Sequence, residues 1–491
     1  MTTLRSSTVA DVLRRSAARV PTRTALRFAD RQWTYAELDD AVSRAAAFLL
    51  SLGLTKGDRV AAYGKNSDAY LIAFLACARA GLVHVPVNYN LVGAELGYLL
   101  EQSGSTVVLA DPALADRVTA GRVIPLRDAE GSLLSHAESG AVPEIDVELA
   151  DTDLVQLLYT SGTTSRPKGA MMTHRALVHE YLSCIVGLDF TEHDDPLHVM
   201  PLYHSAQMHV FLVPWLAVGA VNTLVETPEP GDILRRLSGD GHGAFFAAPT
   251  LWVALANHPD FKPLPALRKA YYGASIMPGP VLARLREAMP ELGFYNCFGQ
   301  SEIAPLATIL GPEGHLTRPD SAGKAALFVE LRVVDSDGTD LPPGELGEVV
   351  YRSPQLCLGY WDKPEETEEA FRGGWFHSGD LVRQDEEGYI YVVDRIKDVI
   401  NTGGVLVASR EVEDALYTHP AVAEVAVIGV PDEKWIEAIT AVVVSKEDVS
   451  AEELLAHARE KLSPFKIPKA IRFVDELPRN ASGKILKRNL R

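Results

Sequence analysis

A run of hydroxyl, glycine and lysine residues follows a short apolar stretch in the first third of this 491-residue chain. The apolar stretch is Leu154-Val155-Gln156-Leu157-Leu158, and the run is Tyr159-Thr160-Ser161-Gly162-Thr163-Thr164-Ser165-Arg166-Pro167-Lys168-Gly169. Hydroxyl groups donate to anions, glycine permits close backbone approach, and lysine adds a positive charge. The spacing is not that of a Walker loop. A polar surface turn is the plain alternative, but the density of these residue types favours a phosphate-binding loop.

Three other segments hold polar side chains that suit nucleotide or metal binding, each with a plainer alternative. The run Asn296-Cys297-Phe298-Gly299-Gln300-Ser301-Glu302 places a carboxylate beside a hydroxyl, which suits magnesium carried by phosphates, or equally a helix N-terminus. Asp380, in Phe376-His377-Ser378-Gly379-Asp380, could take ribose hydroxyls, although by itself the segment is a turn. Lys484 follows a glycine turn and is by default a solvated lysine, and a lone histidine such as His204 is more often a packing residue. The sequence has no zinc-type His/Cys cluster and no Gly-x-Ser-x-Gly elbow.

Alternating strand-like and helical runs surround these motifs. Thr34 and Glu37 have the spacing of a capping box that begins a helix. The alternation covers residues 25–110 and recurs from 195 to 300, which predicts a mostly parallel sheet covered by helices. Shorter strands with Gly, Pro and Asp turns follow from about 320 to 394 and predict a β-rich subdomain. After a boundary at Arg395–Lys397, a compact α+β pattern predicts a small C-terminal domain.

The expected fold class is therefore α/β. Residues 1–394 form a large N-terminal domain of layered sheets and helices that includes the β-rich subdomain, and residues 395–491 form the small domain. The length alone suggests roughly two to four domains or subdomains.

The charge balance bears on which partners the protein can have. The 47 basic and 65 acidic residues give a net charge of −18, which disfavours nonspecific binding to nucleic acid or to anionic lipid. A polyanionic small molecule could bind only in a local pocket whose positive charge outweighs the repulsion from the net negative charge of the protein. Cys77, Cys184, Cys297 and Cys357 are far apart and form neither a zinc spacing nor a disulfide framework, so a reducing, cytoplasmic location is expected. No membrane span is predicted, because no apolar stretch reaches about 18 residues.

The first 27 residues allow two interpretations. Six arginines face a single acid, Asp11, among serines, which is the composition of an organelle transit peptide. An ordinary first helix is favoured, with Val9 and Leu13 on one face and Pro21 beyond its end.

Taken together, the motifs resemble those of the adenylate-forming enzymes, the group of acyl-CoA synthetases, carrier-loading adenylation domains and beetle luciferases. The resemblance runs from about Thr34 to Lys484, with the motifs in the same order and spacing. Within that group the chain looks most like the fatty and aryl acyl-CoA ligases. The resemblance implies ATP, Mg²⁺ and coenzyme A as cofactors and a small mobile C-terminal domain.

The resemblance also implies a role for each matching residue. The β- and γ-phosphates would be held by Thr160, Ser161, Gly162, Thr163, Thr164 and Lys168, and the α-phosphate by Ser301. Adenine would lie between Gly273-Ala274-Ser275 and Asn296-Cys297-Phe298-Gly299, with Phe298 where a tyrosine is usual. Asp380 and Arg395 would hold the ribose, and Glu302 would ligate magnesium.

The remaining matches concern the acyl group and the small domain. Lys484 would bridge the substrate carboxylate and the α-phosphate, and His204 would gate the acyl pocket. Lys397 would be the hinge, and Gly403-Gly404 would line the pantetheine tunnel after the small domain swings. The two steps need different groups at one carbon, because a carboxylate must first attack ATP against anionic repulsion and a thiol must then attack the adenylate.

Two departures from the family pattern bear on these roles. Ser165-Arg166 stands where the family has a glycine first, and Val405-Leu406-Val407-Ala408-Ser409 replaces a polar stretch that ends in proline. The first concerns the grip on pyrophosphate, and the second concerns the face used for thioester formation.

The leading hypothesis is an ATP-dependent carboxylic acid:CoA ligase acting on an apolar acyl group. Only seven residues follow Lys484, which fits free CoA better than a fused carrier. The alternatives are an enzyme that loads a separate carrier protein, a ligase specialised for the thioester step, and a degenerate nucleotide- or acyl-binding protein. Lys168, Glu302, Asp380, Arg395 and Lys484 argue against the last.

Overall fold

The computed structural model describes residues 7–160, 166–275, 277–479 and 485–491. The strands of the first half are β1 (Thr24–Phe28), β2 (Arg31–Thr34), β3 (Arg59–Tyr63), β4 (Val83–Val87), β5 (Val107–Ala110), β6 (Arg122–Pro125), β7 (Leu154–Thr160), β8 (Lys168–Thr173), β9 (Pro196–His198), β10 (Asn222–Leu224) and β11 (Ala244–Ala247). The later strands are β12 (Lys269–Gly273), β13 (Gly293–Phe298), β14 (Thr308–Leu310), β15 (Lys324–Ala325), β16 (Glu330–Val334), β17 (Leu346–Arg352), β18 (Phe376–Gln384), β19 (Ile390–Arg395), β20 (Ile400–Thr402), β21 (Val405–Val407), β22 (Val422–Asp432), β23 (Ile436–Ser445) and β24 (Ala470–Phe473).

Helices alternate with these strands. They are α1 (Val9–Arg19), α2 (Tyr35–Ser51), α3 (Asp68–Ala80), α4 (Gly93–Ser103), α5 (Leu133–Glu138), α6 (His174–Gly187), α7 (Val213–Val218), α8 (Pro230–Gly239), α9 (Pro249–Asn257), α10 (Gly279–Ala288), α11 (Pro312–Thr317), α12 (Pro364–Ala370), α13 (Ser409–Tyr417) and α14 (Ala451–Lys461). A π-helix covers Ala206–Leu212, and short 3-10 turns include Ser301–Ile303 and Ile396–Asp398.

Local signals in the sequence account for several of these boundaries. The predicted capping box is present at α2, where the Thr34 side chain accepts from the Glu37 backbone and the Glu37 side chain accepts from the Thr34 backbone. The Ser67 side chain caps α3 by accepting the backbone N–H of Tyr70, and Gly81 ends that helix in the left-handed conformation. Val9 and Leu13 of α1 are buried in the first hydrophobic core, as the interpretation of an ordinary first helix predicts.

Two large sheets carry most of the strands. One has the order β6-β5-β3-β4-β7-β8 and the other the order β15-β14-β13-β12-β11-β9-β10-β1-β2. The interior pairs of both sheets are parallel, while β8, β2, β14 and β15 join antiparallel at their edges. The mostly parallel sheet predicted from the alternating pattern is therefore confirmed, and antiparallel strands border it.

Two smaller sheets follow in the sequence. Strands β16 to β19 form an antiparallel sheet in the segment expected to be rich in strands, although they are no shorter than the strands of the two large sheets. The last sheet has the order β21-β20-β23-β22 with β24 beside β23, and α13 and α14 cover its buried face around Val412, Val427 and Leu454. None of the helices that the structure describes is long and apolar enough to cross a membrane.

Candidate active site

The carboxyl ends of the parallel strands open into a cavity of about 1350 Å³. Its walls come from the ends of β7, β12 and β13, the start of β8, the π-helix, and residues 376–378 of β18. The last hundred residues also contribute to the walls, through Arg395, Lys397, Arg479, Leu486 and Arg488. Such strand ends are where ligands bind in open α/β sheets.

One corner of the cavity brings a lysine, a carboxylate and two hydroxyl groups together. Thr160 ends β7 and Lys168 begins β8, and the two residues pair across the antiparallel strands. The Thr160 hydroxyl donates to Oε1 of Glu302 at 3.2 Å, and the Tyr360 hydroxyl donates to the same oxygen at 3.0 Å. The Lys168 ammonium lies 4.4 Å from the centre of the Tyr360 ring. This corner can hold a phosphate together with a hard cation.

The protonation state of Tyr360 follows from this arrangement. Burial, reinforced by the neighbouring Glu302 carboxylate, raises the pKa of Tyr360 far above its usual range, so the phenol remains a hydrogen-bond donor. Ser161, Gly162, Thr163, Thr164 and Ser165 lie outside the described residues.

Ser301 lines the cavity beside this corner. Its hydroxyl is 2.9 Å from the hydroxyl of Ser205, which immediately precedes the π-helix. Cys357 donates its backbone N–H to the carbonyl of Glu302 at 2.8 Å. The Ser301–Glu302 segment is thus tied to two other parts of the wall.

A second corner is built on the antiparallel pair β18 and β19, which places Asp380 opposite Arg395. The Arg395 Nε lies 2.7 Å from Oδ1 of Asp380, and the Gln300 amide donates to Oδ2 at 2.9 Å. Both Arg395 and Gln300 also donate to the Ser378 carbonyl at 3.0 Å. Gln300, Ser378 and Arg395 line the cavity, whereas Asp380 is buried behind them and orients their polar groups.

The two segments expected around adenine reach the cavity in part. Gly273, Ala274, Ser275, Cys297 and Gly299 line it, and Asn296 and Phe298 do not. Alternation along β13 explains the difference, since neighbouring side chains point to opposite faces of a strand. The Asn296 amide instead donates to the Ser321 carbonyl at 3.1 Å.

Both glycines at these strand ends allow a close backbone approach. A Cβ atom at Gly299 would lie 2.0 Å from the Pro305 carbonyl oxygen, and one at Gly273 would lie 2.3 Å from that of Cys297. A side chain at either position would therefore displace the backbone of the wall.

The π-helix and the turn before it form the apolar end of the cavity. His204 and Tyr203 line it before the π-helix, and Val210 and Phe211 line it from within. The ring of Phe211 stacks on Phe246 with centroids 4.1 Å apart. This part of the wall suits an apolar group next to the polar corners.

The last hundred residues meet the cavity on one side only. Lys397 is exposed in the 3-10 turn after β19 and lines the cavity, as do Arg479 and Arg488. Gly403 and Gly404 form the two-residue turn of the β20–β21 hairpin, with φ of +66° and +86°, as a type I′ turn requires. This turn does not line the cavity in the described part of the chain. Lys484 lies outside the described residues.

Several cavity residues were not singled out from the sequence. They include Ser205, Gln300, Phe211, Phe246, Tyr360 and Arg479. Gln300 lies inside a singled-out motif, and its position between Gly299 and Ser301 could have indicated it. The others carry no local signal, because contacts far apart in the chain bring them to the site.

Comparisons with known proteins identify relatives over nearly the whole chain. The AMP-binding enzyme family model matches residues 13–361, and the model of the AMP-binding enzyme C-terminal domain matches residues 411–484. A feruloyl-CoA synthase of Amycolatopsis sp is 39% identical over 484 residues, which covers 97% of each chain. A long-chain-fatty-acid–CoA ligase of Mycobacterium tuberculosis is 34% identical and covers 94% of this chain and 93% of its own.

The fold is shared with solved structures as well. The o-succinylbenzoate CoA synthetase of Bacillus subtilis is 30% identical, and its complex with the acyl-adenylate intermediate superimposes with a TM-score of 0.87 over 98% of this chain and 97% of that one. Its complex with ATP and a magnesium ion superimposes with a TM-score of 0.88 over 98% of both chains.

Proposed function

Because this chain belongs to the AMP-binding enzyme family and is an ATP-dependent acid:CoA ligase acting through an acyl-adenylate, we propose that the cavity holds the acid and ATP while the adenylate forms. The observation that carries the proposal is the convergence of Lys168, Glu302 and Arg395 on one cavity that also has an apolar end. An acid and a nucleotide can then lie with their reacting groups adjacent.

The polar corners divide the nucleotide between them. Thr160 and Lys168 bind the β- and γ-phosphates, together with Ser161, Gly162, Thr163 and Thr164, and Ser301 binds the α-phosphate. Arg395 contacts the ribose directly, and Asp380 holds the Arg395 side chain in place. This division of roles fits the burial of Asp380 behind Arg395. Gly273, Ala274, Ser275, Cys297 and Gly299 enclose the adenine, with Asn296 and Phe298 supporting them from the other face of β13.

Glu302 has the surroundings of a magnesium ligand. It is buried, and the Thr160 hydroxyl already points at its Oε1, so a carboxylate and a hydroxyl oxygen face the phosphate corner together. Oxygen donors of this kind suit Mg²⁺. Glu302 would therefore hold the ion, which when bound offsets the charge of the phosphates.

The acyl group occupies the apolar end beside His204. Val210, Phe211, Phe246 and Leu306 surround this end, which supports an apolar carboxylic acid as the substrate. His204 lines the cavity just before the π-helix, and in this proposal it gates entry of the acyl group.

The two half-reactions use different faces of the last hundred residues. Residues on both sides of Lys484, namely Arg479 and Leu486, line the cavity, while Gly403-Gly404 lies away from it. This arrangement fits the adenylation step, in which Lys484 bridges the carboxylate and the α-phosphate. A rotation of residues 395–491 about Lys397 would remove Lys484 and bring the glycine turn to the pantetheine arm.

The test compares the two half-reactions in one variant. Lys484→Ala is expected to lower adenylate formation from acid and ATP by about a hundred- to a thousandfold, because one oriented charge is lost. Conversion of a supplied acyl-adenylate to acyl-CoA should be unchanged. Lys461→Ala, which changes an exposed lysine at the end of α14 outside the cavity wall, is the control and should keep both rates. Equal losses in both steps would overturn the role of Lys484.

Product analysis with the unchanged protein tests the rest of the proposal. If the unchanged protein releases pyrophosphate from acid and ATP without CoA, it is not specialised for the thioester step. The same result would mean that Ser165 does not impair the phosphate loop. Acyl transfer to a carrier protein in preference to CoA would contradict CoA as the acceptor.

A further inference from the structure

A carboxyl group lies in the core behind the acyl pocket and belongs to none of the contacts assigned above. Glu180, on α6, is fully buried. Its Oε1 accepts the backbone N–H of Leu306 at 3.0 Å and faces the Cys184 thiol at 3.5 Å. Its Oε2 accepts from the Gln355 amide at 2.6 Å.

These contacts close a ring around the backbone of one residue of the cavity wall, Leu306. The Gln355 amide that donates to Glu180 also donates to the Leu306 carbonyl at 3.0 Å. Both polar groups of the Leu306 backbone are therefore held, one by Glu180 and the other by Gln355. The Ser183 hydroxyl fixes Gln355 from the far side, donating to its Oε1 at 2.6 Å.

The held residue forms part of the acyl pocket. Leu306 and its neighbour Pro305 line the cavity, and Leu306 belongs to the same hydrophobic cluster as Val210 and Phe211 of the π-helix. The position of this wall is decided by α6, because Glu180 and Ser183 lie on the same helix. A third residue of α6, Tyr181, contacts His209 of the π-helix at 3.0 Å, so one helix supports both parts of the wall.

Stability alone does not account for a carboxyl group at this place. None of the contacts that the described chain makes with Glu180 comes from a cationic side chain. Burial raises the pKa of the Glu180 carboxyl well above its usual range, so the uncharged form is favoured. Apolar residues of similar volume often pack a core at least as well as buried polar groups. What only a polar side chain supplies here is the fixed position of the Leu306 peptide.

We propose that Glu180 is a positioning residue that, through Gln355 and Leu306, sets the Pro305–Leu306 wall and so determines which carboxylic acids fit the acyl pocket. The inference rests on the proposed function in taking the apolar end of the cavity as the acyl site. Glu180 lines no part of the cavity and acts only through this wall, so the larger effect of changing it is expected on the choice of acid and the smaller one on the binding of ATP.

Glu180→Gln tests the ring with almost no change of volume. Each oxygen of the Glu180 carboxyl can accept a hydrogen bond whether or not it carries the proton, whereas an amide nitrogen accepts none. The new NH₂ group therefore leaves either the Leu306 N–H or the Gln355 NH₂ group without its acceptor. The wall then shifts. We expect the ratio of kcat/KM for 4-hydroxycinnamate to that for hexanoate to change by about tenfold or more, the size of effect that a misfit of one or two methylene groups produces. KM for ATP should stay within about twofold.

Two further variants make the result decisive. Ser183→Ala leaves the carboxyl in place but removes the hydrogen bond to Oε1 of Gln355, and it should change the acid ratio in the same direction by a smaller factor. Glu37→Gln weakens the capping box of α2, far from the cavity wall, and should lower stability without changing the ratio. It therefore controls for a general loss of stability.

An unchanged acid ratio in Glu180→Gln overturns the inference, as does an unchanged ratio in Ser183→Ala if Glu180→Gln does not fold. A failure of the proposed function looks different, because the unchanged protein would then form no acyl-CoA from either acid. A shift in KM for ATP equal to the shift in KM for the acid would also overturn the inference, because the ring would then support the whole cavity wall and not the acyl pocket in particular.

Discussion

Five buried histidines should make this enzyme sensitive to mild acid. They lie in the cores of the two large sheets and their surrounding helices, and burial lowers the pKa of each: to about 3 for His84 and His209, and to about 4 for His174, His198 and His315. A histidine in the unfolded chain titrates near 6.5. Below that pH the unfolded chain therefore binds protons that the folded chain does not.

The hydrogen bonds agree with the neutral form. The backbone N–H of Val9 donates to Nδ1 of His174 at 3.2 Å, and the Gln156 amide pairs with Nδ1 of His84 at 3.0 Å. Only a nitrogen without a proton can accept such a bond. Protonation would break these contacts as well as bury a charge.

The magnitude follows from the difference in bound protons. All five folded pKa values lie more than a unit below pH 5.5, so the folded histidines are unprotonated there and the unfolded ones are almost fully charged. Each histidine then lowers the free energy of unfolding by about 1.2 kcal/mol between pH 7 and pH 5.5, and the five together lower it by about 6 kcal/mol.

Glu180 acts in the opposite direction. Because burial raises its pKa above the unfolded value, it favours the folded state as pH falls. A carboxyl protonated over the whole interval returns at most about 2 kcal/mol. The effect of the histidines is larger, so the free energy of unfolding should fall by about 4 kcal/mol in total between pH 7 and pH 5.5. A loss of this size is a large part of the stability of a typical domain.

Urea unfolding followed by tryptophan fluorescence at pH 8, 7, 6 and 5.5 measures this loss. The urea midpoint should fall steadily below pH 7 while the slope of free energy against urea stays constant. His198→Gln should reduce the pH dependence by about one proton, and His193→Gln, an exposed histidine, should not change it. A midpoint that is the same at pH 7 and pH 5.5 would refute the reasoning.

Three further outcomes follow from single positions. Gly299→Ala should abolish pyrophosphate release, because its Cβ would lie 2.0 Å from the Pro305 carbonyl oxygen. Gly279→Ala is the control and should keep the release, because no atom lies within 4 Å of its added Cβ. Equal rates for the two variants would contradict the close approach at Gly299. Lys397→Pro should let adenylate accumulate while CoA transfer collapses, since proline fixes φ, and normal turnover would show that the hinge lies elsewhere. Ile436→Asn should raise the free energy of unfolding, measured with urea, by about 1 kcal/mol. Ile436 is 57% exposed, so little packing is lost, and its φ of +67° is one that β-branched residues disfavour and asparagine tolerates. A lower free energy of unfolding in the variant would contradict this explanation.

The sequence predicted the features that depend on local patterns. The alternation of strands and helices and the capping box at Thr34 each follow from neighbouring residues. The motif containing Ser301 and Glu302 was found because its members are adjacent in the chain. These features could be predicted because their physical causes span a few residues.

The remaining features depend on contacts between distant segments. Nothing near Tyr360 indicates that its hydroxyl bonds Glu302, 58 residues away. The ring at Glu180 joins residues 126 and 175 positions apart, and helical periodicity makes Glu180 look like any polar residue of α6. The orientation of Asn296 and Phe298 away from the cavity needed the register of β13, which composition does not give.

The distribution of charge around the cavity has a consequence for the order of events. Among the described residues, its wall carries six cationic side chains and three acidic ones, although the chain as a whole has a net charge of −18. ATP thus binds in a positively charged cavity on a protein with a net negative charge. Its association rate should therefore depend steeply on ionic strength. Arg395, Lys397, Arg479 and Arg488 belong to the last hundred residues, and the two that lie beyond the hinge, Arg479 and Arg488, supply a third of those cations. If the segment beyond the hinge turns away after the first step, a third of the positive charge leaves with it. Magnesium pyrophosphate would then lose its electrostatic hold just as the thiol arrives, which couples product escape to the change of conformation and makes the adenylation step hard to reverse.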